Sequence, residues 1–119
     1  MSRQTEVMRE LIAKFNRGET IDVERYFTPD FELDDPSVGV RRSGHAGARA
    51  MGEALAAIGE NVQLKILHMI AQDYCVAVRY LMTWEGDNAG SGASIAFYRF
   101  VDGRIAEDWG VGTRVPWQR

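Results

Sequence analysis

The run Phe31-Glu32-Leu33-Asp34-Asp35-Pro36 holds the first side chain that suggests chemistry. Alternation along an extended chain puts Phe31, Leu33 and Asp35 on one face and Glu32 and Asp34 on the other. A carboxylate in line with Phe and Leu points towards a core. Desolvation there disfavours the charged form of a carboxyl group and equips it to accept a proton and return it. The same letters also fit a plainer structure, in which Pro36 ends the ladder and an Asp-Pro turn leaves Asp35 in water. The pattern by itself leaves both open. Tyr80 and Tyr98 stand among apolar residues, where a tyrosine either donates a hydrogen bond to a ligand oxygen or packs as core with its hydroxyl at a rim. His68, in Leu67-His68-Met69, reads as a satisfied strand histidine rather than a base, and His45 as an exposed residue at a helix start.

No nucleophile–His–acid triad, phosphate loop or metal-ligand spacing occurs, and no cofactor or metal is expected. The lone Cys75 cannot form an internal disulfide and reads as a small buried hydrophobe. A length of 119 residues fits one domain, 1–119, with a core that needs no staples. The net charge of −3 lacks the basic footprint of a nucleic-acid partner. No apolar run approaches a membrane span and the start lacks a signal-peptide core, so a cytoplasmic protein is the expectation.

The elements that must position these groups divide by period. Ser2 caps a first helix with Val7, Met8, Leu11, Ile12 and Phe15 on one stripe, stopping at Gly18. Thr20 starts a short second helix with Ile21, Val23 and Tyr26 for packing. After the acidic strand and a polar loop carrying Arg41 and Arg42, a third helix from Ser43 or Gly44 shows the stripe Ala48, Met51, Leu55 and Ile58, and ends at Gly59. The period then falls to two. Strands are expected at 62–71, 74–84, 94–101 and 104–111, with a loop at 86–92 and a hairpin turn at Asp102-Gly103. Helices followed by antiparallel strands make an α+β domain.

The segment Phe27 to Gly44 resembles the one that carries the catalytic base in bacterial ketosteroid isomerases, within the NTF2-like (SnoaL-like) superfamily. Asp34-Asp35-Pro36 stands where that family has an acidic-Asp-Pro triplet, and Arg42-Ser43-Gly44 where its loop ends before a helix. A looser resemblance covers nearly the whole chain. It implies a cone-shaped α+β fold of the NTF2-like (cystatin-like) type: three N-terminal helices on a curved mixed or antiparallel sheet that encloses a pocket. It implies Asp35 as the proton-shuttling residue.

It also supplies a register for the sheet, sending Val78, Tyr80, Met82, Trp84, Ala96, Tyr98, Asp108 and Gly110 into the pocket. The helices add Phe15, Met51 and Leu55 to the same apolar ligand-binding wall. The opposite face then carries Leu81, Ile95, Phe97, Trp109 and Val111, with Arg79, Arg99 and Glu107 among them. That is too apolar for a solvated sheet face, so a homodimer through it is expected, as the resemblance also implies.

In this register Asp35 and Asp108 are two carboxyl groups in one apolar cavity, although Asp108 also fits a solvated place near the mouth. Asp35 is expected to be held from water, with Pro36 fixing the chain beyond it. The resemblance has gaps. Steroid isomerisation needs an oxyanion hole built from a Tyr and a protonated Asp. Those positions fall on Leu11 and Ala96, so that activity is not expected. The closing Gly103-Arg104-Ile105-Ala106-Glu107-Asp108-Trp109 resembles the end of SnoaL-like polyketide cyclases, whose catalytic Asp after the Trp falls on Gly110. The expected function is proton transfer by Asp35, with Asp108 as second acid, on an apolar oxygen-bearing small molecule, of isomerase, cyclase or dehydratase type. The alternative is a non-catalytic small-molecule or partner-binding module, because fold does not fix function.

Overall fold

A computed structural model describes residues 2–36 and 39–112. Helix α1 (Arg3–Asn16) starts at Ser2, whose hydroxyl accepts the Thr5 N–H at 3.1 Å. Its buried residues Val7, Met8, Leu11 and Ile12 form the expected stripe. At its far end the Asn16 side chain bonds both backbone groups of Leu64, donating to the carbonyl and accepting from the N–H at 2.8 Å each. One amide thus ties the helix terminus to a strand 48 residues away.

Helix α2 (Val23–Tyr26) is capped by Asp22 rather than begun at Thr20. The buried Tyr26 donates to Glu10 at 2.6 Å, and Arg25 reaches the same carboxylate at 2.9 Å, which pins α2 to α1. Strand β1 (Phe27–Asp35) and β2 (Val40–Ser43) form an antiparallel pair, followed by α3 (Gly44–Ala56). The sequence reads 40–43 as loop because four residues are too few to show a period. Helix α3 ends three residues before Gly59, and a Cβ on Gly59 would sit 2.6 Å from the Trp84 ring. That glycine serves the indole, not the helix end. His45 is half-buried rather than exposed, with Nε2 2.9 Å from the Phe27 carbonyl, joining α3 to β1.

Four long strands follow: β3 (Glu60–Gln72), β4 (Cys75–Glu85), β5 (Gly90–Val101) and β6 (Arg104–Gly112). The six strands form one open sheet in the order β2-β1-β6-β5-β4-β3, parallel between β1 and β6 and antiparallel elsewhere. Register shifts between Ile66 and His68 and between Arg99 and Phe100 supply local bends. The helices lie on one side of this curved sheet, the α+β arrangement that was expected. Strand β5 begins four residues earlier than its composition suggests. Gly90 pairs with Trp84, and a Cβ there would meet that ring at 2.8 Å, so the glycine marks a seat for the indole.

One further expectation fails at a single residue. Cys75 is exposed, because it opens β4 one position before the fully buried Val76 and therefore points the other way. His68 lies in β3 on the exposed outer face, opposite Arg79.

Candidate active site

The inner face of the sheet is best followed in rows across the strands. In one row Leu33 on β1 stands beside Asp108 on β6, Asp108 beside Tyr98 on β5, and Tyr98 beside Val76 on β4. Arg42 on β2 pairs with Leu33 and extends this row at the sheet edge. The next row holds Gly110, Ala96 and Val78, three small residues that leave a hollow between the larger groups. Asp35 follows Asp34, the partner of Trp109, so its nearest position on β6 is Gly110.

Above this floor α1 and α3 enclose a cavity of about 940 Å³. Asp35, Asp108, Tyr80, Met82, Tyr98, Phe15, Met51 and Leu55 all line it. Trp84 does not. It is buried in a separate small cluster with Val62, against Phe15, Ile58 and Met82, and its indole N–H donates to the Asn88 carbonyl at 2.6 Å. Strand phase sends Trp84 inward as expected, but at this end of β4 the space inside is already filled.

The two acids differ. Asp108 is 7% exposed, which removes the reading of a solvated residue near the mouth. Burial pushes its carboxyl up to about 7, and the nearby charge of Asp35 adds to the rise. Asp35 is only half-buried, contrary to expectation. It is the last residue of β1, next to an exposed Pro36, where the neighbouring strand is the short edge strand β2.

The Tyr80 and Tyr98 hydroxyls lie 2.7 Å apart and are both buried. Burial raises both phenols above the ordinary tyrosine range, and the Asp108 charge works in the same direction. Both therefore stay protonated. Each carries one O–H, and only one is used in the bond between them. The other remains to donate to a third group.

Sequence reasoning misses Arg42 and Arg49 as lining residues. It puts Arg42 on a loop. Reading Val40 to Ser43 as a strand would have set Val40 and Arg42 on the inner face. Arg49 lies one residue beyond Ala48 on the cavity side of α3, and no period predicts that a charged flank borders a pocket.

A family model described as a SnoaL-like domain matches residues 8–108. Among solved structures the chain is similar to a candidate polyketide cyclase from Acidithiobacillus ferrooxidans (TM-score 0.80, 17% identity, 95% of this chain and 89% of the other). It is similar to a candidate ketosteroid isomerase from Kribbella flavida (TM-score 0.79, 17% identity, 94% and 78%). It is also similar to AclR, a candidate hydroxylase from Streptomyces galilaeus (TM-score 0.78, 20% identity, 95% and 80%). No curated protein matches. These structural likenesses establish the NTF2-like fold. By the match over residues 8–108, the chain belongs to the SnoaL-like domain family.

Proposed function

We propose that this protein is an enzyme that moves a proton on an apolar, oxygen-bearing small molecule, with Asp35 and Asp108 as an unequal carboxyl pair. The observation that carries this reading is the burial of Asp108 beside Asp35 in a mostly apolar cavity. Two neighbouring carboxyl groups in unlike environments divide naturally into a base and an acid. Asp35, with water access, is the base. It takes a proton from a carbon next to a carbonyl group, and the electron pair moves onto the carbonyl oxygen. Asp108, protonated up to about pH 7, donates a hydrogen bond to that oxygen. The spare O–H of the tyrosine pair is a second donor. Donors held in place where charge develops account for a large share of catalysis in such sites.

Asp108 and the tyrosines thereby stand in for the donors that Leu11 and Ala96 do not supply. The proton returns to another carbon in an isomerisation. In a dehydration the hydroxyl group on the neighbouring carbon leaves as water, carrying the proton that Asp35 took, and in a cyclisation the carbanion adds to a second carbonyl carbon of the same molecule, whose oxygen receives that proton. The non-catalytic alternative is a module that uses the same donors only to hold a ligand oxygen. Assembly belongs to the same proposal: the exposed Ile95, Phe97 and Trp109 on the outer face are the contact of a homodimer.

Solvent-deuterium exchange into a panel of cyclic ketones, read by NMR, separates the two readings. The wild type is expected to exchange protons next to the carbonyl, and Asp35→Asn to lose about 100-fold or more of that rate. Ketone binding without exchange would leave the binding module. A β,γ-unsaturated ketosteroid in the same panel tests whether the substitute donors suffice for steroid isomerisation.

A further inference from the structure

The proposed chemistry leaves two charged side chains of the cavity unused, Arg42 on β2 and Arg49 on α3. Arg42 is half-buried on the inner face, and Arg49 is exposed at the cavity's border. Helix α3 lies directly against Arg42 at the buried Gly47, where a Cβ would sit 3.1 Å from the Arg42 Cβ and carbonyl carbon. A glycine inside a helix weakens it relative to alanine, and here the missing side chain is the room that Arg42 occupies. Among the described residues neither arginine has an ion pair. Glu53 follows Arg49 by one turn and also lines the cavity, yet the two are not joined. A guanidinium partly withdrawn from water and without a counter-charge has lost hydration that an anion can replace.

The register fixes where such an anion lies relative to the two acids. Arg42 pairs with Leu33 and Leu33 with Asp108, so Arg42 and Asp108 flank Leu33 at two strand spacings, roughly 10 Å. Asp35 stands in the next row, two residues on from Leu33, and is diagonal to both. A molecule laid along the first row with its oxygen at Asp108 has its far end at Arg42, and the carbons between pass beside Asp35. We infer that the substrate is a keto acid, whose ketone oxygen is held at Asp108 and the tyrosine pair and whose carboxylate is held by Arg42, with Arg49 adding positive charge from α3. This rests on the proton-transfer reading above and adds the class and the direction of the substrate. The planar guanidinium fork matches a carboxylate. A doubly charged phosphate group fits less well, because Asp35 and Glu53 line the same cavity. The direction also selects the carbon: Asp35 takes its proton from the carboxylate side of the ketone, not from the far side.

The probe is an open-chain methyl ketone ending in a carboxylate, with about four methylenes between the two groups to match the row. Its methyl ester has nearly the same shape and no charge. In solvent-deuterium exchange the acid is expected to exceed the ester about 30-fold or more in kcat/KM, the size of a charge-assisted contact. Deuterium should enter the methylene next to the ketone ahead of the methyl group. Arg42→Gln is expected to reduce the preference for the acid to about threefold or less, chiefly by raising its KM. Arg42→Lys keeps the charge without the fork and should retain an intermediate preference. It carries the test if circular dichroism shows the glutamine variant unfolded. Arg49→Gln, at an exposed position, should reduce the preference about threefold. Calorimetry with the same two compounds separates this inference from the reading beneath it. Tighter binding of the acid that is lost in Arg42→Gln, with no exchange of either compound, would overturn the proton transfer and leave the carboxylate site standing. Equal exchange of acid and ester, or a preference that survives Arg42→Gln, would overturn the keto acid and leave the proton transfer standing. A phosphonate of the same chain bound more tightly than the acid would overturn the choice of carboxylate.

Discussion

Phe97 and Tyr98 are neighbours in the chain, yet Phe97 is 48% exposed and Tyr98 8%. The two faces of the sheet are made by the same strands in alternation, and they differ in what covers them. Helices α1 and α3 roof the inner face, so the few polar groups there are desolvated: Asp108 shifts its proton affinity and two tyrosines bond each other. On the outer face the chain itself leaves Ile95, Phe97 and Trp109 uncovered. Chemistry follows where the chain covers its own polar groups. The homodimer proposed above would use the face where it leaves apolar groups uncovered.

The largest effect is expected on the outer face. Trp109→Glu puts a charge beside Asp34 among the exposed apolar side chains. Burying it costs about 3–5 kcal/mol, enough to convert a micromolar dimer to monomer in light scattering. The fold and the cavity should survive, because Trp109 points away from both. Loss of folding in that variant would mean that the two faces are not independent.

On the inner face Asp108→Asn removes the titrating proton and keeps the shape. The raised carboxyl makes wild-type stability fall as pH rises from about 4 towards about 7, because ionisation is cheaper in the unfolded chain. The difference between variant and wild type should be near zero at pH ~4. By pH ~8 the variant should be the more stable by roughly 4 kcal/mol in urea melts. An equal difference at both pH values would place Asp108 in water. If the proposed chemistry holds, the same variant loses the proton-transfer rate and with it the fall in activity above about pH 7. Tyr98→Phe is the mildest change. It leaves the Tyr80 hydroxyl without its partner, at a cost of about 1 kcal/mol, and lowers any exchange rate about tenfold, while the outer face is untouched.

How far the sequence can be read varies with scale. The stripes of α1 and α3 and the alternation in β4 and β5 are strong periodic signals, and they lead to the two faces. Leu33 and Phe31 are buried as the alternation of β1 requires, and eight of the nine proposed site residues line the cavity. Single-residue readings fail where an environment, not a period, decides. The usual burial of cysteine argues for an inward Cys75, whereas its phase relative to Val76 turns it outward. Gly59 and Gly90 read as punctuation, whereas each makes room for the Trp84 ring. Asp35 reads as the more desolvated acid, but its strand ends beside a four-residue edge strand that a sequence pattern is too short to reveal.

The sequence by itself therefore determined which residues share a face, because the periods of 2 and 3.6 are local properties of the backbone. It also carried the family, through Asp34-Asp35-Pro36 and Arg42-Ser43-Gly44. Only the tertiary structure decided that Asp108 is the sealed carboxyl, that Tyr80 and Tyr98 meet, that Trp84 stays out of the cavity and that Arg42 borders it. Those outcomes depend on which strands become neighbours and where the helices lie over them. Asp108 meets Leu33 and Tyr98 from β1 and β5, and its proton affinity follows from that enclosure. Desolvation is set by everything packed around a group, and most of that comes from distant parts of the chain.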